Sequence, residues 1–66
     1  MSNPTKIISL AVDLTDDSAW HLAQFLKRVG FAEFRSNAQD DDEAYAMRDA
    51  AAQVRKALVD AGYAPR

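Results

Sequence analysis

Between Asp40 and Ala61 the chain runs for more than five helical turns without a Gly or a Pro, then stops at Gly62 with Pro65 just beyond. Nothing else in the sequence restricts the fold as strongly. Ala44, Met47, Ala51, Val54, Leu58 and Ala61 recur at spacings of three and four, the period of one helix face. Tyr45, Ala52, Val59 and Tyr63 trace a second, mostly apolar line. A helix with two apolar lines has neighbours on more than one side, which places residues 41–61 at the centre of the fold.

The preceding residues supply those neighbours. Ile8, Leu10, Val12 and Leu14 alternate with Ser9, Ala11 and Asp13, the period of a half-buried strand, so residues 5–14 are expected to form a β-strand after a disordered arm at 1–4. Thr15 can cap a helix over 16–29, with Asp16 and Asp17 at its positive end and Lys27 and Arg28 at its negative end. Ala19, Leu22, Phe25, Leu26 and Val29 make its apolar face, and Gly30 is the expected C′ residue. Phe31 and Phe34 suit a short helix or turn over 31–37. The expected architecture is a single domain over 1–66, mainly α with one N-terminal β-strand, in the order β-α-(short α)-α.

A 66-residue chain gains little from its own core once about 1.5 kcal/mol of ordering entropy per residue is set against burial. The absence of Cys removes disulfides and thiolate metal sites and fits the cytoplasm. No apolar run approaches the roughly 20 residues of a membrane span. Tight helix packing or a homodimer must therefore supply the stability. A lone strand leaves its backbone groups unpaired, and pairing with the same segment of another copy, through residues 5–14, is one way to satisfy them. The other ways are a short extended piece elsewhere in the chain, or laying the segment along the helices.

Net charge is −2, and the surplus is local. Asp13, Asp16 and Asp17 balance Lys6, Lys27 and Arg28, and the excess gathers at Asp40, Asp41, Asp42 and Glu43. One role for this run is helix capping. The other is capping together with contact to a basic partner surface, joined by Asp16, Asp17, Glu33 and Asp49. An acidic chain is poorly suited to hold phosphates directly. His21 stands alone, no serine has a nucleophile-elbow context, and both glycines sit at helix ends rather than in a phosphate-cradling loop. The expectation is a non-enzymatic interaction protein without cofactor, metal or membrane partner. Trp20, Phe31, Phe34 and Tyr45 serve either as core or as an aromatic contact patch.

Two resemblances bear on function. Residues 6–30, with Lys6-Ile7-Ile8-Ser9-Leu10-Ala11-Val12-Asp13-Leu14-Thr15-Asp16 as strand and helix start, resemble ribbon-helix-helix regulators, in which paired strands of a dimer read DNA. That resemblance implies a transcriptional regulator or antitoxin-type homodimer. The outward positions Ile7, Ser9, Ala11 and Asp13 are not readers of base edges, and an acidic start to the last helix repels phosphate. In size, acidity and the run Asp40-Asp41-Asp42-Glu43, the chain also resembles small phage and mobile-element proteins, type I anti-CRISPR inhibitors of the DNA-mimic kind among them. That resemblance implies occupation of a basic nucleic-acid-binding surface on a CRISPR effector subunit.

Overall fold

The structure, a computed structural model, describes residues 6–66. Three helices follow one another: α1 (Asp16–Arg28), α2 (Phe31–Ser36) and α3 (Asp41–Asp60). Both shorter helices pack against α3, so the long uninterrupted stretch is the element around which the others are arranged.

Local chemistry marks each boundary. The Thr15 hydroxyl accepts from Ser18 N at 3.1 Å and opens α1. Asp40 Oδ1 accepts from Glu43 N at 2.8 Å and opens α3, while Glu43 Oε1 accepts from Gln39 N at 2.8 Å. Two otherwise unpaired backbone donors are satisfied reciprocally. At the other end of α3, Tyr63 N donates to Leu58 O and Gly62 N to Val59 O, at 2.8 and 2.9 Å. These are the two bonds of a Schellman ending, and Gly62 has the positive φ of 102° that it requires.

Gly30 behaves differently from its expected role. Its φ and ψ of −105° and 171° are extended, and it is the N-cap of α2 rather than a left-handed C′ residue of α1. The α1 helix ends at Arg28 with Val29 as its C-cap at φ −60°, and the chain enters α2 after two intervening residues, Val29 and Gly30. Glu33 Oε2 accepts from Gly30 N at 3.1 Å and steadies that entry.

The expected N-terminal strand is not present. No β-strand occurs among the described residues, and 6–15 have no regular secondary structure. A strand exists only through the ladder it makes with another, and the other described residues are helices and short connections that offer no strand to pair with. Alternation of apolar residues was therefore a sound sign of one apolar face and not of a paired strand. Thr5 and the arm expected at 1–4 lie outside the described residues. The fold is accordingly three α-helices preceded by an irregular apolar segment.

The contact between α1 and α3 is made largely by small residues. Ala19 and Ala23 of α1 are buried with Leu58 of α3, and Leu22, Leu26 and Tyr63 pack around them. Ala44 is fully buried, and next to it the Phe31 and Tyr45 rings lie 4.7 Å apart between α2 and α3. Among the described residues these four, Ala19, Ala23, Ala44 and Leu58, are the whole of the buried apolar core.

Candidate interaction surface

A core made of three alanines and one leucine leaves most large apolar side chains at the surface. Ile7, Ile8, Leu10 and Val12 are 70–89% exposed. Leu14, Phe25, Val54 and Val59 are also exposed. The total accessible surface is 5645 Å², where a folded monomer of 7.3 kDa has about 4,200 Å². The radius of gyration is 13.2 Å, against about 11 Å for a compact chain of this length.

The exposed apolar residues are not scattered. Ile8, Leu10, Val12 and Leu14 of the N-terminal segment face Leu22 of α1 and Val54, Ala57 and Leu58 of α3 across an open groove of about 510 Å³. Gln53 is the one polar side chain that lines it, and no charged residue does. The even-numbered side of the segment, which its alternation marked as apolar, thus borders the groove without filling it. The helix periodicity explains the opposite wall: Val54, Ala57 and Leu58 lie at spacings of three and four on α3.

The other concavities differ in character. One between α1 and α3 is lined by Lys27, Arg48 and Arg55 along with Leu26, Val29, Phe34, Ala51 and Ala52. Two of its cations have partners within the chain: Lys27 Nζ donates to Pro65 O at 3.0 Å, and Arg48 to Asp49 Oδ1 at 3.1 Å. The surface as a whole is therefore of mixed sign.

The eight carboxylates singled out in the sequence do not come together as one free patch. Asp40 and Glu43 are the reciprocal cap of α3. Asp41 accepts from Arg35 Nε at 2.7 Å, and the same guanidinium donates to Ala38 O at 3.2 Å, so the pair clips the α2–α3 turn. Glu33 caps α2 through Gly30 N, and Asp49 pairs with Arg48. Asp16 accepts from the Tyr63 hydroxyl at 2.7 Å, and Asp17 lies 3.4 Å from His21. Asp42 has no partner among the described residues. Most of this acidity has work to do inside the fold, although the side chains remain at the surface.

The aromatic residues divide between contact and exposure. Trp20 meets Tyr63 edge to face at 5.0 Å, and the Arg48 guanidinium sits 5.0 Å from the centre of the Tyr45 ring. Phe34 is half-buried, whereas Phe25 is left open to solvent. Sequence reasoning placed Phe25 on the buried face of α1 and gave Ala23 no part. The tight approach of α1 to α3 reverses this, because only a small side chain fits at the crossing. The stripe Ala19–Ala23, four residues apart, was the available signal.

Among the described residues no three His, Asp or Glu side chains are grouped as a metal site, and no helix is long and apolar enough to cross a membrane.

The chain belongs to DUF7706, a family of unknown function, whose model matches residues 1–66. Comparison with curated proteins and with solved structures gives no match.

Proposed function

We propose that this chain is a non-enzymatic interaction module that holds a protein partner on the groove between its N-terminal segment, α1 and α3. One observation carries the reading: a continuous apolar surface of Ile8, Leu10, Val12, Leu14, Leu22, Val54 and Ala57 with no charge in it. An uncharged groove bordered by a run of exposed large apolar residues is the kind of surface that marks an interaction site. Water gains freedom when such a surface is covered, and the segment's backbone gains an ordered setting. Charged side chains outside the groove would select partners without supplying most of the affinity.

The test places a photo-reactive residue at Leu10 and, separately, at Val54, with Ala32, exposed on α2 and not lining the groove, as a control. Intermolecular protein adducts from the first two positions and none from Ala32 are the expected result. Adducts confined to the chain's own helices, or equal yield from Ala32, would reject the proposal.

A second reading is inhibition of a basic nucleic-acid-binding surface, such as one on a type I CRISPR interference complex. It draws on Asp42, exposed and without a partner among the described residues, beside the surface carboxylates of Asp41 and Asp17. An association of that kind weakens with salt, since exposed charges are screened over about 8 Å at physiological ionic strength. Binding to such a complex that survives Asp42→Lys and high salt unchanged would dismiss it.

A further inference from the structure

We infer that the occupant of the groove is a second copy of this chain, related by a twofold axis, so that Ile8, Leu10 and Val12 of each copy enter the groove of the other against Val54 and Ala57. The inference rests on the interaction reading above and specifies its partner.

Three observations support a copy of the same chain over a foreign protein. The first is the insufficiency of the single chain. With Ala19, Ala23, Ala44 and Leu58 as its buried core, it has little burial to set against the ordering of 66 residues. A partner that completes the core has to be present whenever the chain folds, in equal number. A second copy meets that condition without further provision, as in obligate homodimers whose monomers are not independently stable.

The second is area. Ile8, Leu10, Val12 and Val54 leave 47–83% of their surface in water, apolar area that a second copy would cover from both sides of a twofold interface.

The third is self-complementarity. A twofold interface sets one patch against itself, which any net charge in the patch would oppose. This groove has none: its only polar side chain is the amide of Gln53. Both of its walls are apolar, with Ile8, Leu10 and Val12 on the segment side and Leu22, Ala57 and Leu58 on the helix side. Phe25, the most exposed aromatic among the described residues, instead sits among His21, Gln24, Arg28 and Glu33, whose charges would have to leave water in any contact made there.

The experiment uses the full chain. Sedimentation equilibrium from low micromolar to near-millimolar concentration is expected to give twice the 7.3 kDa chain mass, with helix content rising as dimer forms. Leu10→Asp and Val54→Lys are each expected to abolish the doubling. Because such variants can simply fail to fold, a second measurement uses the otherwise unchanged chain. Equal amounts of 14N- and 15N-labelled protein, both carrying a photo-reactive residue at position 10, are mixed and illuminated. Mixed-isotope adducts between residue 10 and residues 53–58 are expected. A folded monomer at every concentration overturns the second copy, whether the groove then binds a foreign helix, a lipid vesicle or nothing. So does a dimer whose adducts map elsewhere, or a chain that stays unfolded at every concentration. Of these outcomes, a folded monomer whose Leu10 adducts form with another protein leaves the interaction reading standing. Adducts only to its own α3 reject both.

Discussion

The Tyr63 hydroxyl donates to Asp16 Oδ1 at 2.7 Å across 47 positions of sequence, and so ties the end of α3 to the first turn of α1. The Tyr63 ring also meets Trp20 edge to face, and Lys27 reaches Pro65 O two residues further on. The C-terminal residues thus close over α1 as a clasp. The hydrogen bond to Asp16 raises the Tyr63 pKa above its ordinary value of 10.0, with burial and the Asp16 charge adding to the effect. The folded state therefore holds the phenolic proton more tightly than the unfolded state does. That contribution is intact below pH 10 and is lost as pH climbs through the raised value. Thermal melts in steps from neutral to strongly alkaline pH should show stability falling above pH 10, and Tyr63→Phe should flatten the fall. A residual slope belongs to Lys56, whose pKa is raised by its hydrogen bond to Asp60 and then by the Asp60 charge.

Gly62 is where that clasp turns. Its φ of 102° is a conformation that a side chain disfavours, although a Cβ there would meet no other atom within 4 Å. The strain is purely of the backbone. Gly62→Ala should cost roughly 1–2 kcal/mol in urea unfolding, while Gly62→Asn, which tolerates the left-handed region better, should cost less. Equal stability of all three chains would mean that the turn relaxes without loss.

The carboxylates at the start of α3 should separate by role. Asp40→Ala removes an N-cap acceptor and should cost about 1 kcal/mol. Asp41→Ala breaks an exposed pair with Arg35 and should cost less than about 1 kcal/mol. Asp42→Ala has only the helix dipole to lose and should change stability by a few tenths of a kcal/mol at most. Chemical denaturation of the three variants tests this order, and the reverse order would show that the acidic run is not organised around its cap.

Much of the helical layout was legible because its signals are local. Thr15 and Asp40 mark helix starts by their own oxygens, and Gly62 marks the stop by its backbone freedom. The N-terminal segment was misread because alternation reports only that one side is apolar. Whether a strand forms depends on a second strand, which is not a local property. The same limit applies to the surface carboxylates: a run of acids in sequence does not disclose that Arg35 will fold back onto Asp41, or that Tyr63 will reach Asp16. The core was only half legible. Leu58 lies on the long periodic face and is buried, but Val54, one turn earlier, is left at the groove. Which of two apolar residues becomes covered depends on where α1 crosses, and that crossing is set by Ala19 and Ala23.

That crossing makes the helix packing sensitive in both directions. Ala23 is 1% exposed and shares its cluster with Leu58, so the space beside it is occupied. Ala23→Leu would push α1 from α3 and should cost about 1–3 kcal/mol, the usual penalty for overpacking. Leu58→Ala removes the only large side chain in the buried cluster and should cost about 2–5 kcal/mol. For a chain with so small a core, either loss is a large share of its total stability, so the variants should show a reduced melting temperature and less helix at a given concentration. Val54, 47% exposed on the same helix, provides the contrast. Val54→Ala should barely affect the α1–α3 contact, and under the dimer inferred above it should instead weaken association and raise the dimer dissociation constant. Circular dichroism melts of the three variants, with sedimentation equilibrium giving the dissociation constant of Val54→Ala, distinguish the cases. A Val54→Ala chain that melts lower but associates with an unchanged dissociation constant would place that residue in the monomer's own packing instead.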